Sequence, residues 1–241
     1  MRTAKHDPAP ARTLAKARTE LRAPRAAGVA GILFAVLFIG VLLLVRAPTS
    51  APIEVVAEWY GNAGRSRIVL MGLYGIPLAG IAFLWFIGAI RARIGSREDQ
   101  LFATVFLGSG LLFVAMLFAA AAVASAMALR LEELGTVGTV DPEVIQFSQA
   151  LTSAFLYVYA ARAAGVFMIV TSTIAMRTRA VPRWVALTGY AIALLLLLTI
   201  REFQLIMTLF PLWVALLSIF ILISPPVGEG AEQAAGMEGD A

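Results

Sequence analysis

A succession of long apolar runs, separated by short charged punctuation, constrains this chain more than any other feature. Six runs stand out, at about residues 28–45, 68–90, 101–129, 154–176, 184–200 and 205–223. A helix crossing a hydrocarbon core ~30 Å thick needs roughly 20 apolar residues at ~1.5 Å rise each, and most of the runs reach that length. Only 14% of the residues are charged, against about 25% in a soluble domain, so lipid must solvate much of the surface. The expected fold is all-α: a polytopic membrane protein whose domain 28–223 is a bundle of six transmembrane helices. A basic cytoplasmic tail, 1–27, and an acidic flexible one, 224–241, flank it. The first run, 18 residues long, exceeds the 7–15 of a signal-peptide core and reads as an uncleaved span.

Charge distribution orients the spans, because Lys and Arg stay on the cytoplasmic side. Thirteen of the 19 lie in the first tail and in the segments 91–100 and 177–183, while five lie in 46–67, 130–150 and 201–204. Both termini are therefore expected in the cytoplasm of a cell whose plasma membrane the chain crosses. The net charge of +4 follows this topology and is no nucleic-acid signature. Seven cations precede the first span, and they favour the anionic headgroups of the inner leaflet.

Local signals mark several helix ends. Asp141-Pro142-Glu143 reads as N-cap, first-turn proline and first-turn acid, starting the fourth helix well outside the membrane. Ser96 with Asp99 fits a capping box before the third span. Glu54 and Glu58, four residues apart beside Val55, Val56 and Trp59, suggest a short interfacial helix. Residues 201–204 form a very short connection, read either as an outer turn or as a re-entrant hairpin.

The chemistry-bearing residue types are sparse. Cysteine is absent and the single histidine, His6, lies in the basic tail, so thiolate chemistry and a histidine-rich metal site are excluded. No phosphate loop, zinc-protease or nucleophile-elbow motif occurs. No Asp or Glu lies well inside a span, Glu202 at the ambiguous turn aside, which argues against proton coupling and intramembrane proteolysis. No catalytic residue, metal ligand or cofactor is expected.

Two features remain. Small residues and a proline, Gly72, Gly75, Pro77 and Gly80 in the second span and Gly108 and Gly110 in the third, permit close helix packing or a kink. The row Ala115, Ala119, Ala122, Ala126 adds a small-residue face. Arg162 is the one unambiguous charge within a span. Counting back from Arg177 sets its Cα ~22 Å from the cytoplasmic edge, beneath Tyr157 and Tyr159. Its guanidinium is expected to lean outward, either snorkelling to the interface, pairing with Glu202 or a tyrosine, or holding an anion or headgroup. Arg162, Tyr159 and Glu202 thus form the candidate intramembrane polar site, with Arg162 expected on the bundle side shared with Tyr159 and Val166.

The stretch from Phe83 to Arg91, the stretch from Glu98 to Phe113, and Val181-Pro182-Arg183-Trp184 resemble uncharacterised multi-pass membrane proteins common in actinobacteria. The resemblance covers roughly residues 55–220 and implies a six-span helical protein of the cell membrane. It brings no activity, ligand or catalytic residue. Composition and motifs together point to a non-enzymatic membrane protein that binds lipids, a protein partner or further copies of itself. A small transporter or channel using spans two and three with Arg162 is the alternative, and a membrane enzyme the third reading.

Overall fold

The computed structural model describes residues 9–44, 63–94, 100–133, 141–178, 181–198 and 204–223, and every element among them is helical. Helix α1 is Ala9–Leu44. Helix α2 joins Ala63–Leu70, a π-helical turn Met71–Gly75 and Ile76–Ile94. Helix α3 is Gln100–Glu133. Helix α4 joins Pro142–Ser153, a second π-helical stretch Ala154–Ala160 and Ala161–Thr178. Helices α5, Arg183–Leu198, and α6, Gln204–Ile223, follow. Each helix packs on its predecessor and α6 packs back on α1, so the six close into a ring. One end of the ring carries the exposed Arg91, Arg177 and Arg183 and is called the basic end below.

Five helices are long and apolar enough to cross a membrane, over Ala27–Leu44, Arg67–Arg91, Leu101–Arg130, Glu143–Thr178 and Leu205–Ile223. Of the run at 184–200, expected as a span, the described residues form a helix of 16 residues, ~24 Å long. Helix α1 begins at Ala9, so much of the tail expected to be disordered is helical; an alanine-rich chain continues the turn that the apolar segment nucleates. The segments holding Glu54, Glu58, Ser96, Asp99 and Glu202 lie outside the described residues.

Where the sequence carried a local signal, the physical cause is visible. The Asp141 side chain accepts from Glu143 N–H at 2.9 Å with Pro142 in the first turn, the cap that frees α4 from an orphaned donor. Pro77 has no N–H to offer the carbonyl of Leu73, and its ring crowds that carbonyl. The preceding turn widens instead, and Ile76 N–H donates to Met71 O across a π turn.

Phenylalanine fills the ring's interior. Phe34 of α1, Phe83 of α2, Phe113 of α3 and Phe210 of α6 are fully buried, and each ring contacts the other three at centroid separations of 4.6–6.1 Å. Phe167 of α4 joins them at 5.1 Å from Phe83 and 6.3 Å from Phe210. Most of these pairs are tilted or edge-on, the arrangements that the ring quadrupole favours.

Glycine and serine close three of the seams. A Cβ on Gly31 would overlap Ser218 Oγ, one on Gly72 would overlap Ser125 Oγ, and one on Gly189 would overlap Ser172 Oγ. These contacts join α1 to α6, α2 to α3 and α5 to α4. Close backbone approach of this kind lets dispersion forces hold helices together where lipid supplies no hydrophobic drive. Gly75, Gly80 and Gly110 likewise abut Val41, Phe118 and Ile87.

Gly108 departs from that expectation: it is exposed, and a Cβ there would meet nothing within 4 Å. The alanine row departs too. Ala115, Ala122 and Ala126 are exposed and Ala119 is half-buried, because the bulky side of α3, with Phe106, Phe113 and Leu117, is the side that fills the interior.

Candidate functional site

Arg162 lies on α4, in the half of that helix toward the end of the bundle opposite the basic one. Three contacts give α4 and α5 a single antiparallel register. A Cβ on Gly165 would lie 3.0 Å from Leu197, Thr173 and Tyr190 share a hydroxyl hydrogen bond of 2.7 Å, and Gly189 faces Ser172. Extended by a turn, this register carries Arg162 about two residues past Leu198, where the description of α5 ends. Helix α4 continues beyond that height from Ala161 to its cap at Asp141, roughly 30 Å farther at ~1.5 Å per residue, packed along α3.

The Arg162 side chain follows the helical rule that side chains lean toward the N-terminus. Its Nη1 donates to Val158 O at 2.9 Å, one turn back along α4. That acceptor lies within the π stretch. Leaving it, Ala161 N–H donates to both Leu156 O and Val158 O, a ladder in transition between registers. No proline accounts for this second π stretch, and nothing in the sequence announced it.

Arg162 is half-buried. It belongs to a half-buried stripe with Val166, Ile169 and Thr173, at i, i+4, i+7 and i+11, beside a fully buried face that holds Ala164, Phe167, Met168 and Ser172. Tyr159, one turn toward the cap, is 56% exposed, so the side that Arg162 shares with Tyr159 and Val166 is the margin of the bundle, not its interior. Among the described residues, Val158 O is the sole hydrogen-bond partner of the guanidinium, and no described carboxylate lies within ion-pair distance. Glu202, the acid expected at this height, lies in the segment 201–203 outside the described residues.

The other polar groups lie elsewhere. Ser125, Ser172 and Ser218 are buried against glycines, and their hydroxyls have no partner among the described residues, whereas Ser109, Thr171, Thr173 and Thr178 each donate back to a carbonyl four residues earlier. Trp213 of α6 donates from Nε1 to Val185 O of α5 at 3.1 Å, a buried clasp between the last two helices. Near the basic end, Arg177 lies over the ring of Phe102, 4.6 Å from its centroid. No described group of His, Asp or Glu side chains is arranged to hold a metal ion.

Searches of protein-family models, curated proteins and solved structures found nothing that matches this chain.

Proposed function

We propose that the chain is a six-span protein of the plasma membrane, with both termini cytoplasmic, that works without catalysis by binding lipids or a partner in the membrane. On this reading α5, the one apolar helix of the six with a shorter described length, crosses the membrane with the other five. The charge asymmetry of the loops sets the orientation and places the basic end at the cytoplasm. The resemblance to actinobacterial multi-pass proteins is consistent with such a membrane.

One observation carries the preference for binding over transport. Phe34, Phe83, Phe113, Phe167 and Phe210, drawn from five of the six helices, occupy the centre through which a solute path would run. The two π turns favour the transporter alternative, since such turns often mark sites of function. Reconstitution separates the two. Proteoliposomes should be no leakier to ions and small solutes than empty vesicles, while the purified protein retains lipid. A flux that depends on the protein and collapses on Phe113→Trp would overturn the binding reading.

A further inference from the structure

We infer that the outer part of α4 pairs with the same part of a second copy of this chain, through a short parallel coiled-coil seam beyond the membrane. The inference rests on the reading of a membrane protein that binds a partner, and it names the partner and the surface. Spacing is the first argument. The inner side of this part of α4 packs on α3 and buries Ile145 to 1% exposure. Another side carries Val144, Phe147, Leu151 and Ala154, three, four and three residues apart. That is the a/d spacing of a heptad seam, which takes the knobs of a facing helix into its holes. Val144 is 53% exposed and Phe147 69%, with Leu151 and Ala154 half-buried below them.

Height is the second argument. Phe147 stands ~45 Å along α4 from Arg177 at the basic end, and a tilt of ~20° lowers it by only ~3 Å. The hydrocarbon core is ~30 Å thick, so acyl chains do not reach this ring. Val144 and Phe147 therefore present apolar surface to water, and packing against protein removes it.

The third argument selects the partner. Two copies inserted in one membrane share an orientation, so their α4 helices run parallel and identical positions meet layer by layer. The flanks of the seam raise no charge barrier to that pairing. Glu143 of one copy comes beside Ser148 of the other, and Ala150 brings no charge. A foreign helix chosen by charge would call for charged flanks, which this seam lacks. The surface is small. A seam ~15 Å long on a helix ~10 Å across falls well short of the ~800 Å² per partner of a stable interface. Pairing therefore needs both copies held in one bilayer and is lost on dilution in detergent.

The test exploits the absence of cysteine, since a single introduced thiol can form a disulfide only with another copy. Full-length single-cysteine variants in proteoliposomes of low protein density are oxidised mildly. Val144→Cys, Phe147→Cys and Leu151→Cys should link into pairs several-fold more than Gln146→Cys, which is exposed but off the seam. Single-molecule photobleaching in the same membranes should count two copies for the wild type and one for Phe147→Asp. The exposed position of Phe147 predicts an unchanged melting temperature for that variant. Linking at Gln146→Cys equal to that at Phe147→Cys, or pairs that persist in Phe147→Asp, overturns the seam. A thiol at position 147 that is shielded from maleimide yet unlinked shows that another molecule covers the face, and overturns the second copy as its occupant. A wild type counted as single copies overturns the pairing, and lipid retained by those single copies leaves the lipid-binding reading standing. Single copies that retain neither lipid nor protein overturn both.

Discussion

Replacing Gly189 with alanine tests how tightly the helices are set against each other. A Cβ there would overlap Ser172 Oγ and stand 2.8–2.9 Å from two ring atoms of Trp213. The serine can yield, because its hydroxyl has no described partner to lose. The indole cannot yield freely: it is 2% exposed and tied through Nε1 to Val185 O. Overpacking of this kind costs ~1–3 kcal/mol, against which alanine recovers up to ~1 kcal/mol of helix propensity. The expected net loss is about 1–2 kcal/mol. Gly108→Ala is the control, since a Cβ at that exposed position meets nothing within 4 Å and should leave stability unchanged or raise it by up to ~1 kcal/mol. Unfolding both variants with a denaturing detergent in mixed micelles, followed by circular dichroism, reads the difference directly. If Gly189→Ala is as stable as the wild type, or the two substitutions behave alike, the close seam between α4, α5 and α6 is not as described.

Three further outcomes are expected. Phe83→Ala removes a ring in contact with Phe34, Phe86, Phe113, Phe167 and Phe210 and should cost ~3–5 kcal/mol in the same unfolding assay, with Phe83→Leu milder. Reporter fusions active only in the cytoplasm, placed after residues 27 and 226, should both be active, and an inactive fusion at either place would refute the six-span orientation. A peptide of residues 1–27 should bind anionic vesicles over neutral ones by ~1 kcal/mol for each cation near the surface, and added salt should erase the preference.

The parts of this structure that the sequence disclosed are those governed by one dimension of the chain. Apolar length marked the helices at Ala27–Leu44 and Leu205–Ile223 because crossing lipid depends on a run of residues and little else. The Asp141 cap was equally legible, and Pro77 marked an irregularity in its helix though not its form as a π turn, since each effect arises between residues a few places apart. The hydrogen bond from Arg162 to Val158 O was not legible, nor was the π stretch in which Val158 lies, since no proline or glycine pair signals it.

The interior was hidden for a different reason. That Phe34, Phe83, Phe113 and Phe210 meet depends on the rotation of four helices about their own axes, which periodicity within one helix does not report. The alanine row on α3 makes the same point in reverse. Its spacing marks a face, but only the competing bulk of Phe106, Phe113 and Leu117 decides that the face turns outward.

Closure of the ring has a consequence for how the chain is made. Helix α1 leaves the ribosome well before α6, yet they share a seam in which Gly28 abuts Leu222 and Gly31 abuts Ser218. Through the synthesis of four intervening helices, that side of α1 has no mate. Phe34, Phe83 and Phe113 can gather early, but the fourth ring, Phe210, arrives only with α6. Assembly of the core therefore waits for the synthesis of α6. A chain cut short before α6 lacks one wall of its core and leaves glycines facing lipid, the kind of unfinished surface on which quality-control proteases act.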